Sequence, residues 1–177
     1  MAKTALIVID LQNDYFPGGK WELQGIDQAA AHAAKLISAS RACDDLIVHV
    51  RHEFPTEAAP FFVPGSSGAE IHPMVSPHPG ETVLLKNHVN AFLETELKSI
   101  LDENGIGEVT ICGAMSHMCV DAATRAASDL GYNVSLIHDA CATRDTEFQG
   151  TTVPAESVHA TLMSALGFAY ATLFSTN

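Results

Sequence analysis

Two kinds of hydrophobic pattern alternate along the chain: short unbroken aliphatic runs, and longer segments whose apolar residues recur every three or four positions. Thr4 to Ile9 (TALIVI), Leu46 to Val50, Thr82 to Leu85, Val109 to Cys112 and Val134 to Ile137 are of the first kind. Runs of this length without polar alternation predict strands buried on both faces, as in a parallel sheet. Ile26 to Ala42, Phe92 to Glu103 and the stretch after Cys119 are of the second kind. Ile26, Ala30, Ala33, Ala34 and Ile37 share one helical face, and Val120, Ala123, Ala127 and Leu130 share another. Gly105 and Gly131 stop two of these helices. A last helix is predicted from near Pro154, and a last strand from Phe168 to Phe174. The regular alternation predicts an α/β fold, a mostly parallel sheet covered on both faces.

Two stretches break the pattern. Asn13, Asp14, Pro17, Gly18 and Gly19 make a turn-rich loop, and His52 to Gly80 holds six prolines with scattered glycines and aromatics. An irregular segment that long in a compact domain is expected to be a lid or a subunit contact. Phe61, Phe62, Val63, Ile71 and Met74 would form a large apolar patch if left exposed. They are expected to fold back over the chain's own rim or to bury against a second subunit.

With 177 residues and 47% hydrophobic content, residues 1–177 are expected to form one domain, burying roughly 70% of the unfolded chain's surface. A formal charge of −12 repels phosphate backbones and anionic membranes, so nucleic acid and membrane partners are not expected. Small molecules and further copies of the chain remain. The four cysteines show no C-x-x-C or zinc-type spacing, which points to reduced thiols. The apolar run at the N-terminus stops at Asp10, too short for a signal peptide or membrane span, and a cytoplasmic location is expected.

In an open parallel sheet the working residues gather where the strands end. Asp10 ends the first predicted strand, Lys86 the third, and Cys119 follows the fourth, so the fold sends all three to one rim. Singly they have plainer readings: a buried small hydrophobe for Cys119, a turn or cap residue for Asp10, an exposed charge for Lys86. Together they make a nucleophile, a proton acceptor and a cation that holds the two anions near each other. The cysteine's place near a helix start is expected to favour thiolate over thiol.

The segments ALIVIDLQNDYF, LLKNHVNAF, ICGAMSHMCVDAATRAASDLGYNV and IHDACATRD, in this order, closely resemble the isochorismatase-like cysteine hydrolases. That resemblance implies a three-layer α/β/α sandwich around a six-stranded sheet, with Asp10, Lys86 and Cys119 as the triad. It also implies a non-proline cis peptide joining Ala114 to Met115, with the N–H groups of Met115 and Cys119 facing a substrate oxyanion. The family habit of forming dimers and larger rings favours a homo-oligomer here, and burial of the proline-rich segment's apolar residues against a second subunit over folding back on the chain's own rim. Members that only cleave the vinyl ether of isochorismate lack the cysteine, so a thioester route on amide, ureide or lactam substrates is expected. The segment GAMSHMC looks most like the branch containing streptothricin hydrolase.

Nicotinamidases of the family hold a metal through an Asp-x-His motif after the second strand. Here the segment reads HVRHEF, with Arg51 in the first carboxylate's place, so neither a metal nor another cofactor is expected despite His49, His52, His72 and His78. Phe16, His88, Asn90 and His117 flank the triad in sequence and are candidates for the substrate pocket, although His88 and Asn90 could instead cap the helix near Phe92. His117 as a catalytic partner of Cys119 is disfavoured, because helical residues two apart do not face each other. The alternative from another class is a catalytically silent binding or assembly protein on the same fold.

Overall fold

The computed structural model describes residues 3–176. In chain order the main elements are β1 (Lys3–Ile9), α1 (Ile26–Ala42), β2 (Leu46–His52), β3 (Thr82–Lys86), α2 (Leu97–Glu103), β4 (Ile106–Ala114) and α3 (Asp121–Asp129). There follow β5 (Asn133–Ala142), β6 (Thr146–Phe148), β7 (Thr151–Val153), α4 (Ala155–Ala169) and β8 (Thr172–Phe174). Six strands pair in parallel in the order β3, β2, β1, β4, β5, β8, and β6 and β7 form a separate hairpin.

The unbroken aliphatic runs become the central strands because both faces of the sheet are covered. Leu6, Val8, Ile47 and Cys112 pack on one face with Ile26, Ala29, Ala30, Ala33 and Ile37 of α1. Ile7, Ile9, Val48 and Ile111 pack on the other with Leu97 and Leu101 of α2, Ala123 and Ala127 of α3, and Met163 and Leu166 of α4. The result is the three-layer α/β/α sandwich. Among the described residues no helix is long and apolar enough to cross a membrane.

All six strands run the same way, so their carboxyl ends share one edge. Register aligns Ile9 with Gly113 and His52 with Lys86. Gly113 has φ +129°, and a Cβ placed there would lie 2.0 Å from the carbonyl oxygen of Ile9. Only glycine lets β4 approach β1 at this point, one residue before Asp10 leaves the sheet.

The proline-rich segment folds back over the chain's own rim, the first of the two expectations. Phe61, Phe62 and Val75 are buried within one chain, while Met74 is 42% exposed. The Tyr15 ring packs against Phe62 at 4.6 Å, and Phe61 lies 4.7 Å from Trp21 and 5.1 Å from Phe54. The Asp14 carboxylate accepts the N–H of Phe62 at 2.7 Å, and Leu11 O accepts that of His72 at 2.9 Å. The rings of Phe61 and Phe62 are thus packed against residues of the same chain.

β4 and β5 run longer than the sequence reading, to Ala114 and Ala142, and three further places differ. The helix expected from Phe92 begins at Leu97, because Asn90 Oδ1 takes the Phe92 N–H at 2.9 Å and Glu94 turns to φ +55°. Phe168 stays on α4 with 92% exposure, leaving only Thr172–Phe174 for the last strand. The β6–β7 hairpin was not visible in the pattern; it turns on Gln149 and Gly150, both at positive φ.

Candidate active site

Asp10 is the first residue beyond β1. It adopts φ +51°, a left-handed conformation uncommon for a side-chain-bearing residue, and its N–H donates to Val50 O at 2.9 Å. This turn takes the side chain out of the strand's alternation and into the interior, where it is fully buried. Lys86 closes β3, and its Nζ lies 2.8 Å from Asp10 Oδ2, 3.3 Å from Cys119 Sγ and 3.1 Å from the carbonyl of His88. The Asp10 carboxylate, away from solvent, faces the Lys86 ammonium and the Cys119 thiol.

Cys119 sits in a single π-turn, Ser116–Val120, that precedes α3. Met115 O accepts from the N–H groups of Met118 and Val120 at 3.0 and 3.2 Å, which closes the turn. The Ala114–Met115 peptide bond is cis. Ser116 Oγ donates to Ala142 O at 3.3 Å and lies 2.8 Å from His159 Nδ1, tying the turn to β5 and α4. The structure thus brings Asp10, Lys86 and Cys119 together, and Met115 borders them through the turn.

Electrostatics corrects the expectation of a resting thiolate. Burial, reinforced by the Asp10 carboxylate, pushes the Cys119 thiol well up despite the neighbouring ammonium. Burial also raises Asp10, with Lys86 opposing it. For Lys86 burial works against the charge, but Asp10 and Cys119 outweigh it and leave the ammonium above its usual range. The resting site is therefore a buried Asp10–Lys86 ion pair beside a neutral thiol.

The contact of His52 with this cluster was not expected from the sequence, which weighed it only as one histidine of a region that could gather around an ion. His52 Nδ1 lies 2.7 Å from Lys86 Nζ, and burial followed by the nearby Lys86 charge holds the imidazole at about 3, so it is neutral. The available signal was register: His52 and Lys86 end adjacent parallel strands. Asp10, His52 and Cys119 each place a ligand-type atom within 4.8 Å of the others. The Lys86 ammonium contacts all three, so the cation in this cluster is the lysine itself.

The remaining candidates are dispersed. His49 pairs with Glu81 at 2.9 Å, the backbone N–H of His78 donates to the same carboxylate, and His72 stacks on Phe16 at 3.6 Å. Phe16 is buried, and with His72, Asn13 and Lys20 it lines a cleft that does not include Asp10, Lys86 or Cys119. The His88 side chain reaches outward to Glu94 at 2.9 Å, and only its carbonyl meets Lys86. Asn90 is spent on the Phe92 N–H, as a cap would be, though the turn it closes precedes α2 rather than starting it. His117, half-buried within the π-turn, has Nδ1 2.6 Å from Thr143 Oγ1.

The isochorismatase domain family matches residues 4–155. The uncharacterized isochorismatase family protein YddQ of Bacillus subtilis (strain 168) is 46% identical over 173 residues, covering 98% of this chain and 96% of YddQ. The crystal structure of a provisionally named isochorismatase hydrolase from Oleispira antarctica superimposes with a TM-score of 0.95 at 55% identity, covering 98% of this chain and 94% of that one. Streptothricin hydrolase of Streptomyces noursei is 36% identical over 142 residues, 80% of this chain and 55% of that protein. Maleamate amidohydrolase of Pseudomonas putida (strain KT2440) is 29% identical over 159 residues, 82% of this chain and 75% of that protein.

Proposed function

This chain belongs to the isochorismatase family, and from that premise we propose that it hydrolyses a C–N bond of a small amide-type molecule through a thioester on Cys119. The observation that carries this reading is the buried contact of Lys86 Nζ with both Asp10 Oδ2, at 2.8 Å, and Cys119 Sγ, at 3.3 Å. Names of relatives such as streptothricin hydrolase and maleamate amidohydrolase support the substrate class.

A neutral thiol next to a carboxylate with free lone pairs favours deprotonation during attack over a standing thiolate. Asp10 takes the thiol proton as Sγ adds to the carbonyl carbon, and Lys86 balances the negative charge passing between them. The oxyanion accepts hydrogen bonds from the backbone N–H groups of Met115 and Cys119. Asp10 then gives its proton to the departing nitrogen, and the C–N bond breaks to leave the thioester and a free amine. A water molecule, losing a proton to Asp10, adds to the thioester. The acid leaves, Cys119 regains its proton, and the net change is amide plus water to acid plus amine. His117, in the π-turn that carries Cys119, is the side chain proposed to border the substrate.

A panel of small amides, ureides and lactams, followed by acid or ammonia release, tests this together with acid-quenched mass spectrometry of the Cys119 peptide. The expected result is turnover with an acyl adduct on Cys119, and loss of both in Cys119→Ala by several powers of ten in rate. Near-normal turnover by a folded Cys119→Ala protein would overturn the assignment.

A further inference from the structure

We infer that His52 is a positioning residue of this site: its Nδ1 takes one ammonium proton of Lys86 and leaves the others aimed at Asp10 and Cys119. The inference rests on the proposed roles of that triad. An ammonium has three N–H donors and no lone pair, so the ring nitrogen 2.7 Å away can only accept. That fixes the tautomer with the proton on Nε2, which is buried and without a partner among the described residues. A buried donor left unpaired is costly, and the ring is held in this orientation by what surrounds it. Phe54 lies 4.6 Å and Phe62 6.1 Å from the ring, and Gln12 fixes the His52 backbone through both its N–H and its carbonyl.

Four acceptors crowd three protons: Asp10 Oδ2, His52 Nδ1, the His88 carbonyl and Cys119 Sγ. Lys86 is a flexible stem, and without a fixed acceptor on the His52 side its head can settle wholly on Asp10, its strongest partner. A neutral imidazole is suited to the task, because it binds the ammonium without cancelling the charge that the forming thiolate needs. The charged or titratable groups facing this pair are Asp10, Cys119 and His88, with Tyr15 beside Asp10 and Cys119. Glu53, next in sequence, is occupied by Arg51 at 2.8 Å.

The test uses iodoacetamide as probe and needs no turnover. Alkylation of Cys119 is followed by mass spectrometry of its peptide, so that the exposed Cys43 does not interfere, across pH 6 to 10 in the intact chain and in two variants. His52→Leu fills the space between the phenylalanines without an acceptor, and His52→Asn offers Oδ1 near the place of Nδ1. Loss of a hydrogen bond to a charged group predicts alkylation about tenfold slower in His52→Leu at every pH of this range. His52→Asn is expected within about threefold of the unsubstituted protein. Equal rates in His52→Leu and the unsubstituted chain would reduce His52 to packing, and equally slow Asn and Leu variants would exclude the acceptor; either result overturns the inference. If His52→Leu does not fold, His52→Gln replaces it, because its amide reaches the place of Nε2 rather than Nδ1. The failure of the hydrolase reading looks different: Cys119→Ala would keep turnover whatever the alkylation rates.

Discussion

The side-chain amide of Gln12 takes both backbone hydrogen bonds of His52, donating to its carbonyl at 2.8 Å and accepting its N–H at 2.7 Å. It donates a further bond to Ala69 O at 2.7 Å, and no part of Gln12 reaches solvent. One side chain thereby joins the end of β1, the end of β2 and the proline-rich segment, and it sets where the His52 ring begins. Gln12→Leu keeps the volume and strands three backbone groups. At roughly 1 to 3 kcal/mol for each unpaired buried group, stability is expected to fall by about 3 kcal/mol or more. Urea unfolding measures it; a loss under about 1 kcal/mol would mean that the rim relaxes enough to pair those groups again.

The Asp10–Lys86 pair makes a signed prediction with pH. Lys86→Met leaves a carboxylate buried without its cation, which costs about 3 to 5 kcal/mol at neutral pH. Burial already holds the Asp10 pKa above 3.8 with Lys86 opposing, so removing Lys86 moves it further up. An acid whose folded pKa is raised is stabilising below its unfolded value and loses that contribution as pH rises through the folded one. The penalty of Lys86→Met is therefore largest at pH 8 and shrinks toward pH 4. Adding Asp10→Asn should recover much of the loss at pH 8 and flatten the curve. A penalty independent of pH would mean that Asp10 is not the group left unpaired.

Much of the fold was legible because the buried parallel strands announce themselves as unbroken aliphatic runs, and each helix facing the sheet repeats its apolar residues at helical spacing. The rim placement of Asp10, Lys86 and Cys119 followed from strand ends alone. What stayed hidden depends on long-range partners. Gln12 reads as an ordinary loop residue until His52, forty positions later, is brought beside it. His52 looks like one of several loop histidines until parallel register sets it next to Lys86. The protonation of Cys119 could not be read either, since local sequence places a helix near the thiol and only the fold encloses it. Asn90 had two local readings of similar merit, and the choice turned on a backbone N–H two residues away.

Gly113 carries the close approach of β4 to β1. A methyl group there would meet Ile9 O at 2.0 Å, on backbone at φ +129° that side-chain-bearing residues rarely adopt. The atoms it would meet all belong to the Ile9 backbone and not to a flexible side chain that could move aside, so the strands themselves must part. Gly113→Ala is expected to destabilise by about 3 kcal/mol and to disturb the turn that leads to Cys119. The thermal midpoint reports the first effect and the Cys119 alkylation rate the second; a variant normal in both would show that the strands separate freely at this point.

Glu81 ties the far end of the sheet to α1, and its titration sets part of the acid stability. Arg41 donates to its two oxygens at 2.6 and 2.9 Å, the His78 N–H donates at 2.7 Å, and His49 Nε2 lies 2.9 Å away. Led by the Arg41 hydrogen bonds, and against a smaller effect of burial, these partners lower the carboxyl from 4.5 to about 2. A depressed folded pKa gives a contribution that is complete above the unfolded value and lost as pH falls through the folded one, so the window runs from about 4.5 down to about 2. Glu81→Gln never has that contribution. The stability gap between the two proteins should be widest above pH 5, narrow through pH 4 and 3, and nearly close at pH 2. Urea titrations at these four pH values measure the gap directly. A gap that stays constant to pH 2 would mean that the carboxyl holds no more charge-dependent stability when folded than when unfolded, and that Arg41 is held by other partners.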